Sequence, residues 1–370
     1  MMTAHDRATG ILSIDLDAIA DNWRTLAAHA PNAEAAGVVK ADGYGLGAAP
    51  VARALRKAGC TTFFVATIDE GISLRPHVND ARILVLGGVL PGTGADFIGH
   101  QLIPVLNSPE QIGLWSGFAA AGGRPLPAAI HIDSGMNRLG LDETAVELLA
   151  ADNRRLDGIQ PVLVMSHMAC ADERDHAMNR QQLDRFTVLA DRLGVSAPRS
   201  LAASSTIFLG ADYHFDLIRP GAGLYGINPM PDSPNPLRQT VRLHGKILQV
   251  RDVDTPQTVG YGASHRFKSK GRVATIACGY ADGLFRSLGN RGFGVIGGVK
   301  VPVVGRISMD LITLDVSAVA PAHVHAGALV ELIGPDHDVD ALAAEAGTIG
   351  YEILTSLGRR YLRDYSGGNT

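Results

Sequence analysis

Short apolar runs, each closed by Gly, Ser, Asp or Asn, recur along the first part of the chain, at 37–41, 63–67, 82–88, 102–107, 128–133, 161–167, 199–205 and 217–222. Most gaps between them carry the periodicity of amphipathic helices, as in Ala48–Ala58 and 181–193. Asp15 stands where it can cap a helix whose apolar face is Leu16, Ile19, Trp23, Leu26 and Ala30. The first runs are apolar at consecutive positions rather than alternate ones, the pattern of parallel strands buried on both faces. Eight strand–helix repeats in about 220 residues predict an α/β fold, a (β/α)8 barrel of the TIM type, whose usual length is ~250 residues. A doubly wound open sheet is the competing architecture, and the absence of GxGxxG after the first strand counts against it.

The pattern changes after Pro236. Helical periodicity fades, and 241–250, 272–278, 292–304, 311–316 and 329–332 read as mainly antiparallel strands joined by glycine turns. A last helix is expected over 339–357. With the boundary placed at the proline-rich segment 228–235, the expected organisation is a barrel over 1–235 and a β-rich domain over 236–370, the first ten residues or so pairing with the second domain.

Composition narrows the classes. A hydrophobic fraction of 46% supports a sizeable core, and 43 glycines suit many tight loops. The net charge of −4 has no like-charged block, so neither nucleic acid nor an anionic membrane is an expected partner. Cys60, Cys170 and Cys278 form no CxxC pair, so a reduced compartment and no structural metal are expected. No signal-like start and no run of ~18 apolar residues is visible, which points to a cytoplasmic globular protein.

The most informative chemistry is VVKADGYG at 38–45. Lys40 ends an apolar strand and is followed by a glycine-rich turn, on the face of a barrel where active sites lie. Apolar walls favour the neutral amine that Schiff-base chemistry needs. The plainer possibility is a strand-end lysine with its head in solvent. Arg138, His167, Ser205 and Arg219 fall, like Lys40, at or just after carboxyl ends of the expected strands.

VVKADGYG resembles the cofactor-lysine motif of the alanine racemases, fold-type III enzymes dependent on pyridoxal 5'-phosphate. HIDSGMNRLG at 131–140, SHMACAD at 166–172, IRPGAGLYG at 218–226, VGYGAS at 259–264, GYADG at 279–283, VGRISMD at 304–310 and GYEIL at 350–354 resemble the same family in the same order. The resemblance implies interconversion of L- and D-alanine, supplying D-alanine for peptidoglycan or serving alanine catabolism. Lys40 would carry the cofactor as a Schiff base and act as one of two acid–base groups. Tyr261 would be the other, reaching the barrel of a partner subunit in a homodimer with shared sites. Two bases on opposite faces of Cα are what racemisation needs. By the same resemblance Lys40 serves the D-alanine hydrogen and Tyr261 the L-alanine hydrogen.

Arg219 resembles the arginine facing the pyridine nitrogen; a guanidinium only donates, which disfavours protonating that nitrogen. His167 resembles the residue linking Arg219 to the base tyrosine. Tyr44, Ser205 and Tyr351 match phosphate ligands, with the Gly221 and Ala222 amides as further donors. Arg138 resembles the arginine near the cofactor's phenolic oxygen and the substrate carboxylate. Met309 resembles the residue whose amide binds that carboxylate, with Asp310 in support, and Tyr280 and Asp282 resemble entrance residues.

The chain departs from the family pattern at His131, where many members carry a carbamylated lysine that steadies the arginine; Ser204 and Ser308 replace Asn and Cys. Other readings stay open: a broad-specificity or serine racemase of the same fold, a decarboxylase, and a non-enzymatic cofactor-binding protein. The missing acidic partner for the ring nitrogen counts against the decarboxylase. The extra domain counts against the binding protein.

Overall fold

The computed structural model describes residues 3–368, which divide into two compact units, 3–18 with 239–368 and Ile19–Arg238. The larger unit is built on a parallel sheet in sequential order: Gly37–Val38, Thr62–Val65, Arg82–Val85, Ile103–Leu106, Leu126–His131, Ile159–Met165 and Arg199–Ser200. An eighth strand, Leu217–Ile218, pairs in parallel with Glu34–Ala35. Backbone bonds close the ring. Asp216 and Arg219 amides donate to the Arg199 and Ala202 carbonyls on one side, and Ala36 and Val38 amides donate to the Ile218 and Pro220 carbonyls on the other. The unit is therefore a closed TIM-type barrel.

Residue type explains the strands. Thr62–Val65 and Ile103–Leu106 are buried at every position, with Phe63, Phe64, Val105 and Leu106 fully enclosed. Each such apolar side chain contributes about 1.5–3 kcal/mol by leaving water. The intervening helices have clear ends. Thr67 and Glu70 form a capping box on Ile68–Leu74, Ser108 caps Pro109–Gly122, and Asp142 caps Glu143–Ala151. Met178–Leu193 begins three residues before the sequence pattern indicates and stops at Gly194, which takes the left-handed conformation.

Strands seven and eight are shorter than the apolar runs implied. The chain leaves the ladder after Ser200, and a single bridge between Ala203 and Arg219 continues the pairing towards the site. Lys40 also lies beyond strand one, at the start of a turn.

The smaller unit carries a mainly antiparallel sheet in the order Val299–Pro302, Phe293–Ile296, Leu329–Ile333, Val241–Val253, Gly10–Asp15, Leu362–Ser366. Only the last pair is parallel. The 13-residue strand Val241–Val253 shifts register between Ile247 and Gln249 and there also pairs with Gly271–Ile276, which pairs with Ile312–Asp315.

Several expectations change here. The amino-terminal segment joins this unit as the strand Gly10–Asp15, further along than the first ten residues; Leu12 and Ile14 are fully buried. The run 292–304 is a hairpin, because Gly297 and Gly298 turn it with φ of 56° and 80°. The final helix is two, Val339–Ala346 and Gly350–Ser356, interrupted at Gly347 with φ 78°. Asp15 does cap the helix Leu16–His29, accepting the Ala18 amide at 2.9 Å. No helix among the described residues is long and apolar enough to cross a membrane.

Candidate active site

In the larger unit the residues singled out from the sequence gather at the carboxyl ends of the barrel strands. Lys40 follows strand one, and burial is the main cause that pushes its ammonium below the ordinary lysine range. The nearby charges of Arg138 and Arg219 push the same way, while Glu70 opposes them. These causes shift the balance towards the neutral amine that acts as a nucleophile.

The turn after Lys40 is unusual. Ala41, Asp42, Gly43 and Tyr44 all have φ between 52° and 63°, in the left-handed region that only glycine visits without cost. The turn is tied down from within. Gly43 donates to the Val39 carbonyl, Gly45 to the Ala41 carbonyl, and the Asp42 carboxylate accepts the Ala48 amide at 2.9 Å. Its last residue, Tyr44, stacks on Tyr225 with ring centroids 4.6 Å apart, and the Tyr225 hydroxyl donates to the Val38 carbonyl.

Tyr44 is thereby brought to Gly221. A Cβ added at Gly221 would lie 2.6 Å from the Tyr44 hydroxyl oxygen, so only glycine admits that approach. Ser204, in the loop after strand seven, accepts the Gly221 amide at 2.9 Å and the Gly223 amide at 3.1 Å. The expectation for Gly221 therefore changes: its amide is given to Ser204, and its small size is what matters. Ala222 opens a 3-10 turn, whose first amides have no partner within the turn. Ser205 sits beside Ser204, at the head of the turn Thr206–Leu209.

Arg219, directly after strand eight, is 4% exposed, and burial draws its guanidinium down to about 10. One terminal nitrogen donates to Ser200 Oγ, and the other donates to the Ser166 carbonyl at 2.6 Å and to the Leu201 carbonyl at 3.4 Å. Among the described residues Nε makes no bond, so the group keeps donor capacity for a ligand atom. Among the described bonds none joins Arg219 to the His167 side chain, although the Arg219 charge acts on that ring. His167 is held neutral, its pKa pushed down to about 3 by burial and then by Arg219, Arg138 and Lys40.

His131 is neutral for the same physical reasons, drawn down to about 4 by burial first and Arg219 next. Asn107 sets its tautomer. The Asn107 amide nitrogen donates to the Leu86 and Val105 carbonyls, so Oδ1 faces His131 Nδ1 at 2.7 Å and accepts its proton. Nε2 of the neutral ring is left as an acceptor. A neutral imidazole thus stands where an anionic group would otherwise balance the two nearby guanidinium groups.

This arrangement has a measurable consequence. An unfolded histidine binds its proton near 6.5, whereas His131 in the folded chain binds it near 4. Between those values the unfolded chain holds more protons, so stability is full above the window and falls as pH falls through it. One pKa unit corresponds to about 1.4 kcal/mol, so the loss from His131 is up to about 3 kcal/mol. Denaturant midpoints measured on either side of the window should diverge less for His131→Asn than for the parent chain. Equal pH dependence would show that the ring is not buried neutral.

The smaller unit holds the other residues. Tyr261 opens a 3-10 turn and is 69% exposed, Met309 is 54% exposed, and Tyr280 43%. Their loops are neighbours. The Tyr280 and Ala281 amides donate to the Ser308 and Met309 carbonyls, and Gly260 lies against the Arg306 backbone.

Asp282 is 4% exposed and is held within the smaller unit. Its carboxylate caps the Gly279 amide and takes Arg360 Nε at 2.6 Å and Nη2 at 2.8 Å. Arg360 Nη1 also binds Asp310 at 2.7 Å, tying the Tyr280 loop to the Met309 loop. Tyr351 lies on the helix Gly350–Ser356 of this unit, not among the barrel residues.

Sequence reasoning missed Glu70, Asn107 and Arg360 as builders of the site, and marked Ser204 only as a replacement. The Thr67-x-x-Glu70 spacing signals a capping box, but Asn107 and Arg360 carry no local signal.

The residues present fit pyridoxal phosphate. They offer a desolvated amine at Lys40, a buried donor-only group at Arg219 suited to a ring-nitrogen acceptor, and hydroxyls of Tyr44 and Ser205 beside a loop that admits only glycine.

The comparisons agree with that chemistry. Residues 14–229 match the model of the alanine racemase N-terminal domain and residues 240–365 that of the C-terminal domain. The chain is 53% identical over 369 residues to an alanine racemase of Rhodospirillum rubrum, covering 99% of this chain and 98% of the relative. It is 49% identical to a catabolic alanine racemase of Agrobacterium fabrum, covering 97% and 92%. The structure of the Bartonella henselae alanine racemase with covalently bound pyridoxal phosphate superposes with a TM-score of 0.93 at 39% identity, covering 97% of this chain and 100% of that one. With both domain models matched and near-complete coverage of close relatives, this chain belongs to the alanine racemase family.

Proposed function

We propose that this chain interconverts L- and D-alanine using pyridoxal 5'-phosphate held on Lys40. The observation that carries the reading is the pairing of a desolvated Lys40 with a buried, incompletely bonded Arg219 at one end of the barrel. The bound cofactor supplies the electron-withdrawing system that makes the alanine Cα hydrogen acidic. The chain's own residues do the rest. Arg219 only donates, so it favours an unprotonated ring nitrogen and moderates that withdrawal. Tyr44 and Ser205 hold the phosphate through their hydroxyls, with the Ala222 amide. Arg138 takes the substrate carboxylate, a task suited to the guanidinium fork.

Lys40 Nζ and the Tyr261 hydroxyl move the proton, one on each face of Cα. The division into a cofactor-carrying part, 1–235, and a part that completes the site, 236–370, belongs to this proposal. So does a homodimer in which Tyr261 and Met309 serve the partner's barrel. The exposure of Tyr261, Met309, Tyr280 and Leu311 on adjoining loops supports a covered face. A cytoplasmic enzyme feeding peptidoglycan or consuming alanine fits the same reading. The sequence stands close both to a catabolic and to a biosynthetic racemase of Agrobacterium fabrum, at 49% and 45% identity.

The reading is tested by turnover of a panel of L- and D-amino acids with and without pyridoxal phosphate. Alanine should exceed serine and all others, and turnover should need the cofactor. A preference for serine would favour the broad-specificity alternative.

The phosphate cradle makes its own prediction. In Gly221→Ala the new methyl group would lie 2.6 Å from the Tyr44 hydroxyl and displace it. Losing one bond to a charged group costs about 1.5–3 kcal/mol, so titration of the cofactor-free protein should show pyridoxal phosphate bound at least about tenfold more weakly. Unchanged affinity would remove Tyr44 from the cradle.

A further inference from the structure

We infer that Glu70 is a positioning residue for Lys40, because one carboxylate accepts the Ala41 amide through Oε1 and the Ala66 amide through Oε2, each at 2.7 Å, and so joins the turn beneath Lys40 to the end of the second barrel strand. The inference rests on reading Lys40 as the cofactor lysine.

Three non-glycine residues of that turn, Ala41, Asp42 and Tyr44, hold φ of 52–54°. For such residues the left-handed conformation costs roughly 1–2 kcal/mol each. The Asp42 side chain and the turn's own carbonyls restrain its far end. Glu70 restrains the near end, at the residue directly after Lys40, and does so from a different element, the helix Ile68–Leu74. A carboxylate accepting two backbone amides on separate segments fixes their spacing, and with it the direction in which Lys40 leaves the barrel rim.

A helix cap alone does not account for this geometry. In the capping box Glu70 Oε2 reaches the Thr67 amide at 3.4 Å, whereas the shorter bonds go to Ala66 and to Ala41, outside the helix. Glu70 is also the negative charge facing Lys40. Arg138, Arg219 and the neutral His167 are the other titratable groups near it, from the segments that follow strands five, eight and six. Glu70 therefore sets how far the amine is pushed towards its neutral form, keeping some proton affinity against two cations. A residue that must both attack as an amine and return a proton needs that balance.

The test uses the full-length chain in parent, Glu70→Gln, Glu70→Ala and Thr67→Ala forms. Thr67→Ala removes the other half of the same helix cap without touching Ala41. Each chain is stripped of cofactor, and the rate of reloading with pyridoxal phosphate is followed against pH. Only unprotonated Lys40 reacts, so the midpoint reports the Lys40 amine. Borohydride reduction and peptide mapping then locate the attachment.

The midpoint should fall by on the order of one unit in Glu70→Gln and stay in place in Thr67→Ala. In the reloaded enzymes kcat should fall on the order of tenfold or more for Glu70→Ala, with KM for alanine little changed. Coincident midpoints for Glu70→Gln and the parent, or equal effects of Glu70→Gln and Thr67→Ala, overturn the inference. Attachment at a lysine other than Lys40 overturns the functional reading instead.

Discussion

Lys40→Ala is expected to lose racemisation by more than about 10⁴-fold, the upper end for a positioned acid–base group, because the same nitrogen also holds the cofactor. The visible absorbance of the bound cofactor should disappear with it. The cofactor-free variant should nevertheless be at least as stable to denaturant as the parent. Burial, Arg138 and Arg219 all disfavour the ammonium at this position, and removing a group held against its preferred state relieves the fold rather than weakening it. This pairing of outcomes separates a chemical role from a structural one. A variant that lost activity by unfolding would lose stability in the same measurement, and one that kept colour and turnover would remove Lys40 from the chemistry.

The second large effect is expected at Tyr261. If the two bases face opposite hydrogens of Cα, Tyr261→Phe should slow exchange of the L-alanine hydrogen with solvent by on the order of 10²–10⁴-fold and that of D-alanine far less. Tyr261 is 69% exposed on its turn, so removal of one hydroxyl should leave stability within about 0.5 kcal/mol. The shared-site proposal adds a demand. Neither Lys40→Ala nor Tyr261→Phe chains alone should be active in full, yet mixing them under subunit exchange should restore activity, because one of the two hybrid sites combines an intact Lys40 with an intact Tyr261. Equal loss for both enantiomers would contradict the two-base assignment. Demonstrated exchange without recovery would contradict the shared site.

The barrel was legible because parallel strands buried on both faces leave continuous apolar runs, as in Thr62–Val65, and such runs need no long-range information to recognise. Their ends were less so. Strand seven stops at Ser200, since the following residues turn to build the Ser204 bonds with Gly221 and Gly223. In the smaller unit, Gly10–Asp15 buries alternate residues only because Val241–Val253 and Leu362–Ser366 flank it, and nothing within six residues announces such partners. The Gly297–Gly298 turn lay inside an apolar stretch that reads as one strand.

Site legibility followed the same rule. Lys40, Arg219 and Tyr44 sit in local motifs next to strand ends. Glu70 displays only a helix-cap spacing, and its bond to Ala41 spans 29 residues. Arg360 reaches 78 residues back to Asp282 and 50 back to Asp310. His131 looked like a loss of an anchoring group; burial holds the ring neutral, and the Asn107 contact fixes its tautomer.

In the proposed reaction this chain moves the Cα proton of alanine between faces on a Lys40-bound cofactor. Incubation of the cofactor-loaded protein with L-alanine in deuterated water tests it most directly, with the enantiomers and the Cα deuterium followed together. D-alanine should accumulate until the two enantiomers are equal in amount, with deuterium entering at Cα and no other product formed. Absence of D-alanine, or loss of the carboxylate or amino group in its place, would contradict the account.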